Sequence, residues 1–230
     1  RMRPSTGFQK GMPWMVMANG VLFYRFAALD RPELLHGISL RHGGASHGTI
    51  TGLNLGHSVG DDPAAVEQNH LLLYTSLGLE PLQVVSAQQV HGAHVERVYA
   101  SHGGAVLPST DALITNQPGI ALLMRYADCV PVLLYDPVRG AIGLAHAGWR
   151  GALARVAART AERMMSAFAS DPADILACVG PSIGPCCYQV GPEVVAEARL
   201  AFPGLEGLTV RDRPSGHAYL DLWRVVAEQL

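Results

Sequence analysis

The 230-residue chain lacks most features that mark a membrane-bound, secreted or nucleic-acid-binding protein. It has no Lys/Arg cluster and a net charge of −2, so nothing in it offers an electrostatic footprint for nucleic acid or an anionic membrane surface. No apolar run approaches the ~20 residues that a bilayer-spanning helix requires. The first twenty residues lack the basic-then-apolar order of a signal peptide, because Pro4, Gln9, Lys10 and Pro13 interrupt them. Residues 1–20 are therefore read as an N-terminal extension, and residues 21–230 as a single domain, a length with ample core. There are only four cysteines, Cys129, Cys178, Cys186 and Cys187. Two of these are adjacent, and nothing resembles a secreted disulfide framework, so a reducing, cytoplasmic location is expected. Internal repeats, low-complexity tracts and linkers are absent as well.

What is present is a hydrophobic content of 49% and 25 glycines, the composition of a compact, turn-rich α/β or α+β protein. Ile38 to Arg41 reads as a strand, followed by loops around Gly43-Gly44 and Asn54-Leu55-Gly56. A helix is expected next, capped by Asp61 or Asp62, with Pro63 at its first position and its end at Gly78. Val84 to Gln89, Val95 to Tyr99, Ala112 to Thr115 and Ile120 to Tyr126 have strand character. From Gly151 to Ala169 the period becomes helical: Leu153, Val156, Ala157, Thr160, Met164, Met165 and Phe168 share one face, and Arg155, Arg159 and Arg163 the other. Ile175 to Val179 reads as a strand, Gly180 to Gly191 as a Gly/Pro loop, Pro192 to about Ala201 as a helix, and Tyr219 to Leu230 as a strand turning helical. Mixed α/β layers follow.

The most informative stretch runs from Tyr126 to Gly151. Two apolar runs, Val130 to Asp136 and Ala141 to Ala147, flank Pro137-Val138-Arg139-Gly140 and read as a β-hairpin. Pairing Tyr135 with Ala141 places Val130 opposite His146, and Cys129 within about one residue of it, where facing Cβ atoms are roughly 4.5–5.5 Å apart. A thiol and an imidazole so close form either a metal-ligand pair or a nucleophile with its base. His91, in Gln88-Gln89-Val90-His91-Gly92, adds a third donor, and two histidines with one cysteine match a catalytic zinc site that keeps one position open. Asp128, beside the thiolate, is the expected orienting carboxylate or proton acceptor. Each residue alone is equally well read as a buried thiol or a satisfied loop histidine.

Three further patterns offer chemistry and have plainer readings beside it. Trp149-Arg150-Gly151 opens the long helix, whose N-terminus would favour an anion, with Arg150 reinforcing it; a solvated arginine beside a core tryptophan fits equally. The loop from Gly180 to Tyr188 allows close backbone approach to a ligand but lacks a phosphate-loop ending, and Cys187 would be a nucleophile only with a base beside it. Arg41 ends a strand before a Gly-Gly turn and is placed either to fork a phosphate or carboxylate or simply to face solvent.

Taken in order, Arg41-x-Gly43-Gly44, Leu53-Asn54-Leu55-Gly56, Val59-Gly60-Asp61-Asp62, Gln89-Val90-His91-Gly92, Asp111-Ala112, Ala127-Asp128-Cys129, His146-Ala147-Gly148-Trp149-Arg150-Gly151 and Gly180-Pro181-Ser182-Ile183-Gly184 resemble one bacterial family. It was long labelled polyphenol oxidase or laccase-like, and its members are now regarded as zinc-dependent purine nucleoside phosphorylases. The resemblance covers about Gly37 to Leu222. It implies a layered α/β/β/α single domain with helices outside mixed sheets, akin to a deamidating toxin with a similarly placed Cys/His pair. It also implies a catalytic metal triad of His91, Cys129 and His146 with Asp128 beside it, and a substrate side comprising Arg41, Asn54, Gln89 and Arg150. The implied chemistry is phosphorolysis of adenosine, inosine, guanosine and methylthioadenosine to free base and sugar 1-phosphate, with deamination of adenosine at the same zinc. Two departures stand out. Family members continue past Leu230 with an aromatic, arginine-containing segment, so a C-terminal tail is expected to be missing. Gln189 stands where the pattern has an acidic residue.

A multicopper oxidase needs about ten ligands, mostly paired histidines. The chain has ten histidines in all, scattered, with no His-x-His, so copper at the His/Cys/His site is the lesser expectation. The competing readings are a metal-free hydrolase or amidase in which Cys129 attacks and His146 takes its proton, and a non-enzymatic binding module. The expected partners are a purine nucleoside and phosphate, with no nucleic acid and no membrane, for a monomer or small homo-oligomer.

Overall fold

A computed structural model of the chain describes residues 14–16, 19–204, 207 and 218–230. Residues 1–13, most of the expected extension, lie outside the described residues. The chain divides into two compact units, residues 1–84 and 85–230.

In the first unit, β1 (Trp14–Val16), β2 (Leu22–Tyr24) and β3 (Ile38–Ser39) form an antiparallel sheet in that order. The end of the expected extension is thus a sheet strand, with Trp14 opposite Tyr24. Helix α1 (Pro63–Leu77) starts and stops where its signals lie. The Asp62 side chain accepts from Ala64 N–H, Pro63 has no N–H to lose, and Gly78 closes the helix at φ +67°. The long loop before α1 is held by side-chain amides. Buried Asn69 accepts from Ala45 N–H and donates to Ser46 Oγ, Gly52 O and Asn54 O. Asp61 in turn accepts from Ser46 Oγ and Asn54 Nδ2.

The second unit is built on two sheets. The smaller holds β4 (Val84–Ala87), β6 (Val106–Leu107) and β8 (Ala121–Leu123), in the order β6-β4-β8. The larger holds β5 (Val95–Arg97), β7 (Ala112–Thr115), β9 (Val130–Asp136), β10 (Ala141–Ala147) and β11 (Leu176–Val179), in the order β11-β9-β10-β7-β5. β5 runs parallel to β7 and the remaining pairs are antiparallel, so the expected mixed sheet is observed. Two short strands, β12 (Gln189–Val190) and β13 (Ala218–Tyr219), pair with each other.

The hairpin exists, but one residue out of the expected register. Tyr135 faces Ile142, and Pro131, not Val130, faces His146. The turn explains the slip. Asp136 Oδ1 accepts from the N–H groups of Val138 and Arg139 at 2.8 and 3.0 Å, which pulls Asp136 into the strand and tightens the loop to four residues.

The helix expected from Gly151 is also two helices, α2 (Trp149–Leu153) and α3 (Val156–Phe168). Arg155 breaks them at φ +63°, a left-handed conformation that no helix continues through. Along α3, Ala157, Thr160, Met164 and Phe168 face the large sheet, while Met165, expected on that face, is exposed. Gly143 of β10 lets the helix close in: a Cβ there would stand 2.9 Å from Met164 Sδ. On the opposite face, Leu113 and Leu144 pack with Val85, Ala87 and Met124 of the small-sheet layer. The second unit is therefore layered helix, sheet, sheet. Helices α4 (Pro192–Ala201) and α5 (Leu222–Ala227) share the core of α3, through Val194, Val195, Val225 and Val226. No helix among the described residues is long and apolar enough to cross a membrane.

Candidate metal centre

Strand direction gathers the chemistry at one end of the large sheet. β7 and β9 begin where β10 ends, and β5, parallel to β7, begins there too. Asp111 immediately precedes β7, Cys129 precedes β9, His146 lies next to the end of β10, and His91 sits in the loop leading to β5. The donor atoms of His91, Cys129 and His146 all lie within 4.8 Å of one another, the only such group of three or more among the described residues. Cys129 Sγ is 4.0 Å from His91 Nδ1, and the two imidazole rings are 4.8 Å apart and nearly perpendicular.

The register slip leaves this convergence intact. Continued past the strand ends, the register sets Cys129 opposite Gly148. A Cβ at Gly148 would stand 2.6 Å from His91 Nδ1 and 3.1 Å from Cys129 Sγ, so the missing side chain is the space the donors share. Two imidazole nitrogens and one thiolate around a cradle that a single methyl group would fill match the donor set and openness of a catalytic metal site.

The organiser is Asp111, which is fully buried. Its Oδ2 accepts from the N–H groups of Val90 and Gly92 at 3.1 and 2.8 Å; its Oδ1 accepts from His91 N–H at 2.9 Å and from His146 Nδ1 at 2.8 Å. Three successive backbone N–H groups aimed at one carboxylate form an anion nest, with His91 at φ +60°. The same carboxylate holds a proton on His146 Nδ1, so Nε2 is the nitrogen left to ligate a metal, which would displace the proton it carries. Burial pushes the Asp111 carboxyl up, but His146 and the N–H groups of Gly92 and Val90 outweigh it and hold it below the usual carboxylate range. Burial likewise opposes a charge on His146, but Asp111 and Cys129 raise it to about 9. Desolvation, with His146 and Arg150 nearby, holds His91 below its ordinary value against the pull of Asp111.

The orienting role expected of Asp128 falls to Asp111. Asp128 is exposed, its backbone C=O accepts from Ile183 N–H, and the carboxylate touching a ligand imidazole is Asp111. Spacing alone did not single out Asp111; an acid directly before a wholly buried strand was its sole trace. Tyr126 also escaped notice as a site residue: its hydroxyl donates to Ala145 O and its ring lies 5.8 Å from that of His146.

The residues expected on the substrate side divide. Arg150 is exposed, with its guanidinium 4.2 Å from the Trp149 ring centroid. The helix it opens has only five residues, which removes the long-helix dipole the sequence suggested. The Gln89 side chain is spent on the backbone of Arg125, donating to its C=O at 2.7 Å and accepting from its N–H at 2.9 Å. In the first unit, Asn54 holds Gly56 and Asp61, and Arg41 donates to Thr51 Oγ1 at 2.6 Å. Cys187 has Cys186 beside it, not a base.

The family model described as multi-copper polyphenol oxidoreductase laccase matches residues 35–230. The chain belongs to that family. It is 37% identical over 193 residues to "Purine nucleoside phosphorylase YlmD" of Geobacillus stearothermophilus, covering 81% of this chain and 70% of that protein. It is 46% identical over 167 residues to a purine nucleoside phosphorylase of Streptomyces coelicolor, covering 73% and 69%. Among solved structures it is similar to YlmD from G. stearothermophilus, with a TM-score of 0.84 and 32% identity over 98% of this chain and 83% of that one. It is also similar to the hypothetical protein YfiH of Bacillus licheniformis, with a TM-score of 0.86 and 30% identity over 94% and 82%. This is an enzyme family, and the fold is its fold.

Proposed function

We propose that the protein is a zinc-dependent purine nucleoside phosphorylase that also deaminates adenosine. The observation that carries the reading is the His91/Cys129/His146 group around the Gly148 cradle, with His146 oriented by Asp111. The names of the relatives support phosphorolysis as the reaction class. His91, Cys129 and His146 would hold the metal, and when bound it would supply Lewis acidity and a lowered pKa for water. Zinc fits this mixed nitrogen and sulfur set. A multicopper centre has no second donor group of three or more among the described residues to draw on.

The chain's own residues have separable tasks. Asp111 keeps the His146 Nδ1 proton, so His146 does not exchange it with substrate. Gln89 fixes the Arg125 backbone beside the loop that carries His91. Arg150, exposed, stacked on Trp149 and close enough to His91 to lower its pKa, would offer a cation to phosphate or a developing negative charge. Arg41 and Asn54 rest on the family resemblance alone as substrate contacts. In phosphorolysis the C1′–N bond to the purine breaks, a phosphate oxygen bonds to C1′, and the base leaves with a proton. Adenosine, inosine, guanosine and methylthioadenosine share that bond. The four free cysteines support a reducing, cytoplasmic setting.

The test is chromatography of adenosine incubated with zinc-loaded protein, with and without phosphate. Adenine and ribose 1-phosphate appearing only with phosphate, and inosine in its absence, are the expected products. A phosphate-independent amide hydrolysis surviving complete zinc removal would replace this reading with the Cys129/His146 hydrolase.

A further inference from the structure

Cys186 and Cys187 lie outside the metal centre and have no part in the reaction above. Both are exposed, and their sulfur atoms stand 3.0 Å apart on the loop between β11 and β12. The other two thiols are differently placed: Cys178 is buried in β11, where burial pushes its thiol up, and Cys129 belongs to the triad.

The loop carrying the pair is pinned along its length. Gly180 N–H donates to Pro131 O, Ile183 N–H to Asp128 O, and both Cys187 and Tyr188 N–H to Gly184 O. The Trp223 indole N–H donates to Ser182 Oγ. Trp223 and Cys186 Sγ flank the same glycine: a Cβ at Gly184 would lie 3.2 Å from the indole ring and 3.5 Å from that sulfur. Held this way, the two thiols reach a shared ligand with little ordering cost.

We propose that Cys186 and Cys187 form a dithiol site for a thiophilic ligand that is satisfied by two sulfurs, of the trivalent organoarsenical class. Resident metals fit the pair poorly. Tetrahedral zinc, with Zn–S bonds of about 2.3 Å, would hold two sulfurs about 3.8 Å apart and call for further ligands. No described His, Cys, Asp or Glu joins this pair to make a group of three. A trivalent aryl arsenical needs two thiols alone, and its ring would have the partly exposed Trp223 side chain near Cys186 to pack against. In the binding step R–As(OH)₂ meets the two thiols, two As–O bonds break and two As–S bonds form. Each thiol proton leaves with a hydroxyl as water, and arsenic stays trivalent.

The experiment uses phenylarsine oxide, hydrated in water to the dihydroxide, at one equivalent on the reduced full chain, read by intact mass. One adduct per chain is expected, retained against about millimolar monothiol because the second sulfur acts intramolecularly, and removed by a small dithiol. Cys186→Ser and Cys187→Ser should each lower retention at least tenfold, with circular dichroism unchanged because both side chains are exposed. Cys129→Ala and Cys178→Ser should keep the adduct. Retention in either of the first two variants, loss in Cys129→Ala, or displacement from the parent protein by monothiol would overturn the proposal.

Discussion

Replacing Asp111 by asparagine tests the organisation of the site one atom at a time. The aspartate accepts four hydrogen bonds, two on each oxygen. Asparagine must turn one of those acceptors into a donor. With its NH₂ at the Oδ2 position it would confront two backbone donors, Val90 and Gly92. With its NH₂ at the Oδ1 position it would confront one backbone donor, His91 N–H, and could donate to His146 Nδ1 if that ring changed tautomer. A buried unpaired donor costs about 1–3 kcal/mol, so the second orientation wins by about that margin. It moves the His146 proton to Nε2, the atom that must ligate. Loss of an orienting partner typically lowers metal affinity 10–100-fold, about 1.4–2.7 kcal/mol. The assay is zinc competition against a chromogenic chelator, alongside urea unfolding and circular dichroism. Asp111→Asn should stay folded, lose about 1–3 kcal/mol of stability for the one stranded donor, and bind zinc at least tenfold more weakly. A folded variant with affinity within twofold of the parent would refute the tautomer argument.

Gly148→Ala should remove metal binding while leaving the fold intact, because Gly148 has ordinary φ and only the space between His91 and Cys129 is lost; metal content and melting temperature check this. Asn69→Ala should destabilise the first unit by about 2–4 kcal/mol, since it strands Ala45 N–H and Asn54 O, whereas Gly52 O keeps the N–H groups of Ser46 and Asn54, with denaturant unfolding as the readout. Asp136 predicts a pH dependence. Burial pushes its carboxyl up, but Ser170 and the N–H groups of Arg139 and Val138 outweigh that and depress it. A depressed folded value contributes stability that is fully present above the unfolded value of about 3.9 and lost as pH falls through the folded one. Asp136→Asn should therefore be less stable than the parent at pH 7 and lose less on acidification; parallel stability curves for the two would contradict this.

How much the sequence shows depends on whether a signal is local. Helix α1 was legible to the residue because Asp62, Pro63 and Gly78 act on their own backbone. The Cys129/His146 pair was legible because a hairpin brings its open ends together whatever the register within one residue. The register itself was not, because the Asp136 side chain, not the Pro/Gly turn residues, decides how long the loop is. The break at Arg155 was hidden by a helical apolar period that continues across it on both sides. Asp111 was quoted within a motif but given no role, since its four partners come from a loop twenty residues earlier and a strand thirty-five residues later. Gln89 and Asn54 were placed on the substrate side by the family resemblance, not by any local signal. Their partners are backbone groups and carboxylates of the same unit, which no spacing rule reveals.

The central claim is that one metal ion sits between His91, Cys129 and His146 and is needed for the reaction. Elemental analysis of the purified protein beside Cys129→Ala, each assayed with adenosine and phosphate, tests it most directly. About one zinc per chain in the parent, with metal and phosphorolysis lost together in the variant, is the predicted result. Full phosphorolysis in a variant that holds no metal would contradict it.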